Sequence, residues 1–370
     1  METMAGGGAE KVLIDLLNAI DRQRYDITLL LVFKIGPLLE KLPDWLEVQY
    51  LYPGKPKGLR RLIEHFVPGR NFLYRREAQR LMRGRHFDIA VSFLEGPALR
   101  IHNCLPGIAD RNITWNHTNL SVAHWTHYLY SSIEDEANDY RSMDAVVFVS
   151  EGARTDFSKM FGVYGDKLKV VPNILDYDTI LHRAQEFEVK HNRFTIIAVG
   201  RLVEVKRYDR ILEAAKILAS KGVDFELWIL GVGPLEKELK KLTTRLQLDD
   251  KVIFHGFQPN PYPYFKAADL MLMASDTEGY GMAMVEAMAL GTPVVATASS
   301  GAKAVIDNDT GILTGFSADE MADAVESLYN DANRRNAIAE KSYIKAKSFD
   351  KENVLNQIYE ILEPESLAGR

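Results

Sequence analysis

Glu278 and Glu286 stand eight positions apart in Ser-Asp-Thr-Glu-Gly-Tyr-Gly-Met-Ala-Met-Val-Glu-Ala-Met-Ala-Leu-Gly-Thr-Pro-Val-Val-Ala, residues 275–296. The second glutamate falls in a run that is otherwise apolar on every side. A helix hydrophobic all round is a buried helix, and an ionised carboxylate there costs several kcal/mol unless something hydrogen-bonds it. Glu286 is therefore expected to face a ligand. Glu278 precedes two glycines at the helix entry, where backbone N–H groups lie free and a small polar ligand can come close. Together the two carboxylates read as a two-point clamp for a molecule rich in hydroxyls.

Two cations follow an apolar run in Phe-Thr-Ile-Ile-Ala-Val-Gly-Arg-Leu-Val-Glu-Val-Lys-Arg, Arg201 after a glycine and Lys206 five residues on. Cations converging there suit a diphosphate and can stabilise it as a leaving group while charge builds on it. In Ile-Leu-Gly-Val-Gly-Pro-Leu-Glu, Gly231 and Gly233 form a strand-to-helix turn that lets a helix N-terminus approach a phosphate or base. Asp176-Tyr-Asp178 has the D-x-D form that can bind a divalent metal. It follows Pro172-Asn173, however, and reads as turn chemistry, as do Asp307 and Asp309. No metal requirement is expected.

These groups need elements to hold them. Apolar strands are predicted at 26–33, 88–94, 112–115, 145–150 and 168–171. A second series follows at 194–199, 225–230, 252–255, 270–273 and 293–296, with helical patterns between most of them. Such alternation means parallel sheets covered on both faces. The fold expected is α/β, with two Rossmann-like lobes over 1–180 and 190–348 joined near 176–192, facing across a cleft that would hold the ligand. A last helix near 351–362 leaves 349–370 free to cross back to the first lobe. The glycine turn at Gly6–Gly8 opens an amphipathic helix with almost no strand before it, so the first strand of the N-terminal lobe is read as missing. Its loss would expose sheet edge and weaken that lobe.

The 370 residues, 46% hydrophobic and 26% charged, have the composition of a soluble globular protein. Cys104 is the single cysteine, no apolar run reaches the roughly 18 residues of a membrane span, and the N-terminus has no signal-like segment. A cytoplasmic place is expected. The net charge of −6 argues against nucleic acid as a partner. Residues 55–86 hold ten Lys or Arg against two acids, a surplus of eight that leaves the rest of the chain at −14. Interleaved apolar residues make this segment basic and amphipathic, suited either to an anionic membrane surface or phosphorylated acceptor, or to an ordinary surface helix with its stripe on the core.

Gly-Gly-Gly-Ala-Glu-Lys-Val-Leu, Trp-Asn-His, Val-Val-Pro-Asn, Val-Gly-Arg with a following Lys, Gly-Val-Gly-Pro, Phe-His-Gly-Phe and E-x7-E occur in that order. The set resembles family 4 of the retaining glycosyltransferases over nearly the whole chain. The resemblance implies the GT-B fold and transfer of a sugar from a UDP- or GDP-sugar donor, as substrate and without a cofactor, to a glycan or lipid-linked acceptor. Bacterial surface polysaccharide synthesis at the inner face of the membrane fits the basic segment. By position, Arg201 and Lys206 would hold the donor diphosphate and Glu286 the ribose. Glu278, with the backbone of Gly279, Tyr280, Gly281 and Met282, would hold the transferred sugar, and Phe257 would lie by the base. His117 matches a histidine that reaches the sugar and phosphate, while Gly7 and Gly8 would approach the diphosphate and acceptor. The chain departs from the pattern in its absent first strand and in Asn119, where many relatives carry an acid. A nucleotide-sugar epimerase or phosphorylase of the same fold, or a binding protein without catalysis, are the alternatives.

Overall fold

The computed structural model describes residues 1–54 and 71–363. Residues 55–70, half of the basic segment singled out above, lie outside the described residues. Two compact units divide the chain: Met1–Ile174 with Glu352–Arg370, and Leu175–Lys351.

The first unit contains β1 (Thr28–Phe33), β2 (Glu47–Tyr52), β3 (Phe87–Ser92), β4 (Ala109–Asn116), β5 (Ala145–Phe148) and β6 (Leu168–Val170). All pair in parallel, as a β1-β2 sheet and a β3-β4-β5-β6 sheet. No strand precedes the glycine turn among the described residues. Met1 and Glu2 nevertheless run beside β1, their carbonyls accepting from Val32 and Phe33 N–H at 3.1 and 3.0 Å, and Met4 is fully buried. The backbone of β1 that the sequence reading left as bare edge is thus partly paired. Tyr74, Ala78 and Met82, from the helix Asn71–Leu81 and just beyond it, pack into the core, whereas Arg75, Arg76, Arg80 and Arg83 are exposed. Tyr74, Ala78 and Met82 of the apolar stripe thus serve the core.

The helix Lys351–Leu362 carries the chain back into this unit. There Tyr359 stacks on Tyr25 at 5.7 Å, Arg111 Nε donates to the Ile361 carbonyl, and Glu363 pairs with Arg24.

In the second unit β7 (Phe194–Val199), β8 (Phe225–Leu230), β9 (Val252–Gly256), β10 (Leu270–Met273), β11 (Val294–Thr297) and β12 (Ile312–Thr314) form one parallel sheet in the order β12-β11-β10-β7-β8-β9. Its strands are apolar because helices cover both faces, and their side chains join one core with the helices Tyr208–Ser220 and Ala318–Asn330. From β7 the chain builds outward through β8 and β9, then returns to β10 on the other side. The boundary between β7 and β10 is therefore a topological switch point, where loops leaving the strand ends diverge and open sheets bind ligands.

Candidate active site

At that switch point the turn after β7 meets the turn after β10. Lys206 Nζ, from the short 3-10 helix Glu204–Lys206, is bonded to Glu278 Oε1, which also accepts the Ser275 hydroxyl at 2.7 Å. The Lys206 side chain is 24% exposed and that of Glu278 9%. Such a pair survives burial only because each charge answers the other and the remaining lone pairs find donors. The Glu278 carbonyl accepts from Gly301 N–H at 3.1 Å and from the Ser300 hydroxyl, which ties the residue to the helix Ser300–Val305.

Gly281 then caps the helix Met282–Ala289 with φ +75°, a left-handed geometry that glycine adopts freely, and no side chain caps that end. On this helix Glu286 is buried among Met284, Val285, Ala287 and Met288, and Tyr262 Oη donates to Glu286 Oε1 at 3.3 Å. The carboxylate stranded in an apolar run is inside the unit, as its surroundings required. Arg201 is exposed, and among the described residues it makes no ion pair.

Gly231 and Gly233 have a packing reason to be glycines. A Cβ at Gly231 would sit 1.9 Å from the Gly200 carbonyl oxygen, and one at Gly233 would sit 2.3 Å from that of Leu202. Leu202 N–H donates to the Val232 carbonyl at 3.0 Å. The neighbouring turn sits where a side chain at either position would stand, so these glycines set loop against loop. Phe257, just past β9, is 68% exposed. Tyr280 is buried, its ring edge-on to Phe349 at 5.8 Å.

In the first unit the carboxyl end of β4 collects buried polar groups. His117 packs against Phe93 with ring centroids 4.8 Å apart, and among the described residues neither ring nitrogen has a hydrogen-bond partner. Burial pushes its pKa down to about 3. Neither amide atom of the neighbouring Asn116 has a partner either. Buried polar atoms left unpaired cost free energy and mark places where a ligand or water completes the bonding. Below them Glu95, fully buried, accepts from His117 N–H at 2.8 Å and from Thr118 Oγ1 and Trp125 Nε1. Burial pushes its carboxyl pKa up, and those donors only partly counter it. Asn119 gives its amide N–H to Asp156 at 2.9 Å and accepts from Ser121, so its side chain holds the loop after β4. Gly7 caps the helix Gly8–Ala19, where a Cβ would meet Glu10 Oε2 at 2.3 Å, whereas one at Gly8 would meet nothing within 4 Å.

Residues 6–179 match the glycosyltransferase family 4 model, and residues 182–345 match that of the glycosyl transferases group 1. The chain belongs to the family 4 glycosyltransferases. Over 355 residues, 94% of each chain, it is 26% identical to a Campylobacter jejuni protein. That relative is named N-acetylgalactosamine-N,N'-diacetylbacillosaminyl-diphospho-undecaprenol 4-alpha-N-acetylgalactosaminyltransferase. This chain is 34% identical over 150 residues to the lipopolysaccharide core biosynthesis glycosyltransferase LpsE of Rhizobium meliloti, covering 40% of this chain and 43% of that one. The fold is that of HepE from Anabaena, solved in complex with UDP and glucose, with a TM-score of 0.76 at 23% identity over 98% and 97% of the two chains. Both named relatives are glycosyltransferases, which favours transfer over the epimerase, phosphorylase and binding-only readings.

In this glycosyltransferase of GT-B fold the sequence assigned Lys206 to a diphosphate and Glu278 to a sugar as separate contacts. The structure joins them in one ion pair, which Ser275 extends. Asp176 caps the helix Tyr177–Arg183 by accepting from Thr179 and bonds Lys351. Asp307 accepts from Thr310 and pairs with Lys345. Sequence reasoning missed Glu95 and Asn116. The signal for Glu95 was present, an acid followed by Gly-Pro directly after an apolar strand.

Proposed function

We propose that this enzyme transfers a hexose from a UDP- or GDP-sugar to a glycan or lipid-linked acceptor, with retention of anomeric configuration and without a metal ion. The observation that carries the reading is the partly buried Lys206–Glu278 pair at the β7/β10 switch point, with Glu286 on the helix that follows. Lys206 and Arg201 neutralise the donor diphosphate as it departs, the role a divalent ion plays elsewhere. Glu286 takes the ribose hydroxyls, Glu278 with the backbone of 279–282 takes the sugar, and Phe257 lies by the base. In the first unit the atoms of His117 and Asn116 that have no partner among the described residues are offered to acceptor hydroxyls.

A retaining glycosidase places two carboxyl groups about 5 Å apart around the bond it breaks, and here Glu278 is already paired with Lys206. The mechanism that fits is front-face departure of the nucleoside diphosphate, whose phosphate oxygen receives the acceptor proton while the protein positions and neutralises. The diphospho-undecaprenol in the Campylobacter relative's name and the exposed arginines 75, 76, 80 and 83 support a lipid-linked acceptor met at the cytoplasmic membrane face, within surface polysaccharide synthesis, and the UDP and glucose held by HepE support a UDP-sugar as donor. Among the described residues no helix is long and apolar enough to cross a membrane.

A thermal-shift screen with UDP-, GDP- and ADP-sugars tests the donor, because a ligand that prefers the folded state raises its melting point. Incubating the stabilising donor with undecaprenyl-diphosphate-linked glycans, with and without EDTA, then tests transfer, and NMR of the product reads the anomer. EDTA-insensitive transfer with retention is expected. Failure of every nucleotide sugar to stabilise the protein, or complete loss of transfer in EDTA, would overturn the corresponding part.

A further inference from the structure

Arg207 follows Lys206 directly and has φ +50° and ψ +48°, the left-handed region that side-chain-bearing residues rarely occupy. It ends the short helix carrying Lys206 and starts the helix Tyr208–Ser220. Its guanidinium grips two carboxylates. Nε and Nη2 donate to Asp209 at 3.0 and 2.9 Å, and Nη1 donates to Asp276 Oδ2 at 3.3 Å. Asp276 belongs to the turn after β10, and its other oxygen accepts from Arg210 Nη2 at 2.8 Å. Arg210 is buried and also donates to the Ala274 carbonyl at 2.6 Å. The backbones are joined as well, Asp276 N–H donating to the Val205 carbonyl at 3.0 Å.

The two turns are thus strapped together immediately beside the residues that form the Lys206–Glu278 pair. Val205 adjoins Lys206 on one side, while Ala274 and Asp276 flank Ser275, the hydroxyl donor to Glu278, on the other. A flexible lysine stem would otherwise sample many rotamers, and positioning a cation against a developing charge is sensitive to shifts of about 1 Å. Packing alone does not call for an arginine in a left-handed conformation at this point, since glycine adopts that geometry without strain.

We infer that Arg207 and Asp276 act as positioning residues for the donor diphosphate, strapping the β7 and β10 turns so that Lys206 is presented beside Glu278 in one orientation. The inference rests on the donor-site reading given above. Neither side chain touches the donor in this scheme; both act through Lys206.

The test uses the full chain and whichever of UDP and GDP it binds more tightly by calorimetry, with the matching nucleoside as control. Lys206→Ala establishes the donor reading and should weaken nucleoside diphosphate binding about tenfold or more. Arg207→Gly relieves the left-handed strain while removing the strap, so its melting temperature should hold or rise, yet nucleoside diphosphate affinity should fall about tenfold with nucleoside affinity unchanged. Asp276→Asn should weaken binding in the same selective way. The double variant Lys206→Ala/Asp276→Asn should bind no worse than Lys206→Ala alone, because the strap works through the lysine. Full nucleoside diphosphate affinity in Arg207→Gly and Asp276→Asn, alongside a loss in Lys206→Ala, would overturn the strap and leave the donor site standing. Undiminished affinity in Lys206→Ala, or no binding of either nucleotide by the parent protein, would remove the donor reading and the strap with it.

Discussion

Replacing His117 with glutamine should flatten the acid side of the first unit's stability profile by a calculable amount. The imidazole is buried with no hydrogen-bond partner among the described residues, and burial lowers its pKa from the usual 6.5 to about 3. Between those values the unfolded chain binds a proton that the folded chain refuses, so stability rises with pH through this window and is lost as pH falls from 6.5 toward 3. At pH 5, 1.5 units below the unfolded value, the loss is about 2 kcal/mol at about 1.4 kcal/mol per unit, and at pH 7 it is close to zero. Glu95, whose carboxyl bonds the His117 N–H and is raised by burial, titrates in both proteins and largely cancels in the comparison.

Of the four tryptophans, Trp45, Trp115 and Trp125 belong to the first unit and Trp228 to the second. Urea unfolding followed by fluorescence in a Trp228→Phe background therefore reports the first unit. From pH 7 to pH 5 the protein with His117 should lose about 2 kcal/mol more than His117→Gln. Profiles that stay parallel within about 0.5 kcal/mol would refute the reasoning, because they would mean that the folded state accepts the proton or already bonds the ring.

Lys206→Ala should lower turnover by about 10²-fold or more if the cation neutralises the departing diphosphate, and near-normal turnover in a steady-state assay would remove that role. Gly233→Ala should destabilise the second unit by about 1–3 kcal/mol in urea melts, since its Cβ would meet the Leu202 carbonyl oxygen, whereas Gly8→Ala should leave stability unchanged or slightly raised. Tyr262→Phe removes a hydroxyl that donates to Glu286 and should weaken donor binding less than loss of the Glu286 charge does, a ranking that calorimetry reads directly.

Much of the scaffold was legible because each strand of a parallel sheet covered on both faces is a short apolar run that a local pattern reveals. Phe194–Val199, Phe225–Leu230 and Leu270–Met273 fall where those runs begin and end. Glu47–Tyr52 escaped notice because this short strand is mostly half-buried and mixes polar with apolar residues, and Ile312–Thr314 because it is only three residues long. The buried position of Glu286 was readable from its neighbours alone. What was not readable is who meets whom across large separations. Lys206 and Glu278 are 72 positions apart, and only the return of the chain to β10 beside β7 makes them partners. The same holds for Gly231 and Gly233, whose close approach to the neighbouring turn no local pattern shows. Arg207 and Asp276 carry no local signal, since arginines and aspartates in turns are ordinary surface residues until their partners are known.

The central claim is that the E-x7-E segment binds a nucleotide sugar, and Glu286→Gln tests it most directly when donor affinity and unfolding stability are measured on the same protein. A carboxylate kept for ribose should lose donor affinity about tenfold or more while stability holds or improves, since binding sites are commonly held at some cost to the fold. Intact donor affinity with unfolding made easier by about 1–3 kcal/mol would contradict the account and make Glu286 a structural partner of Tyr262.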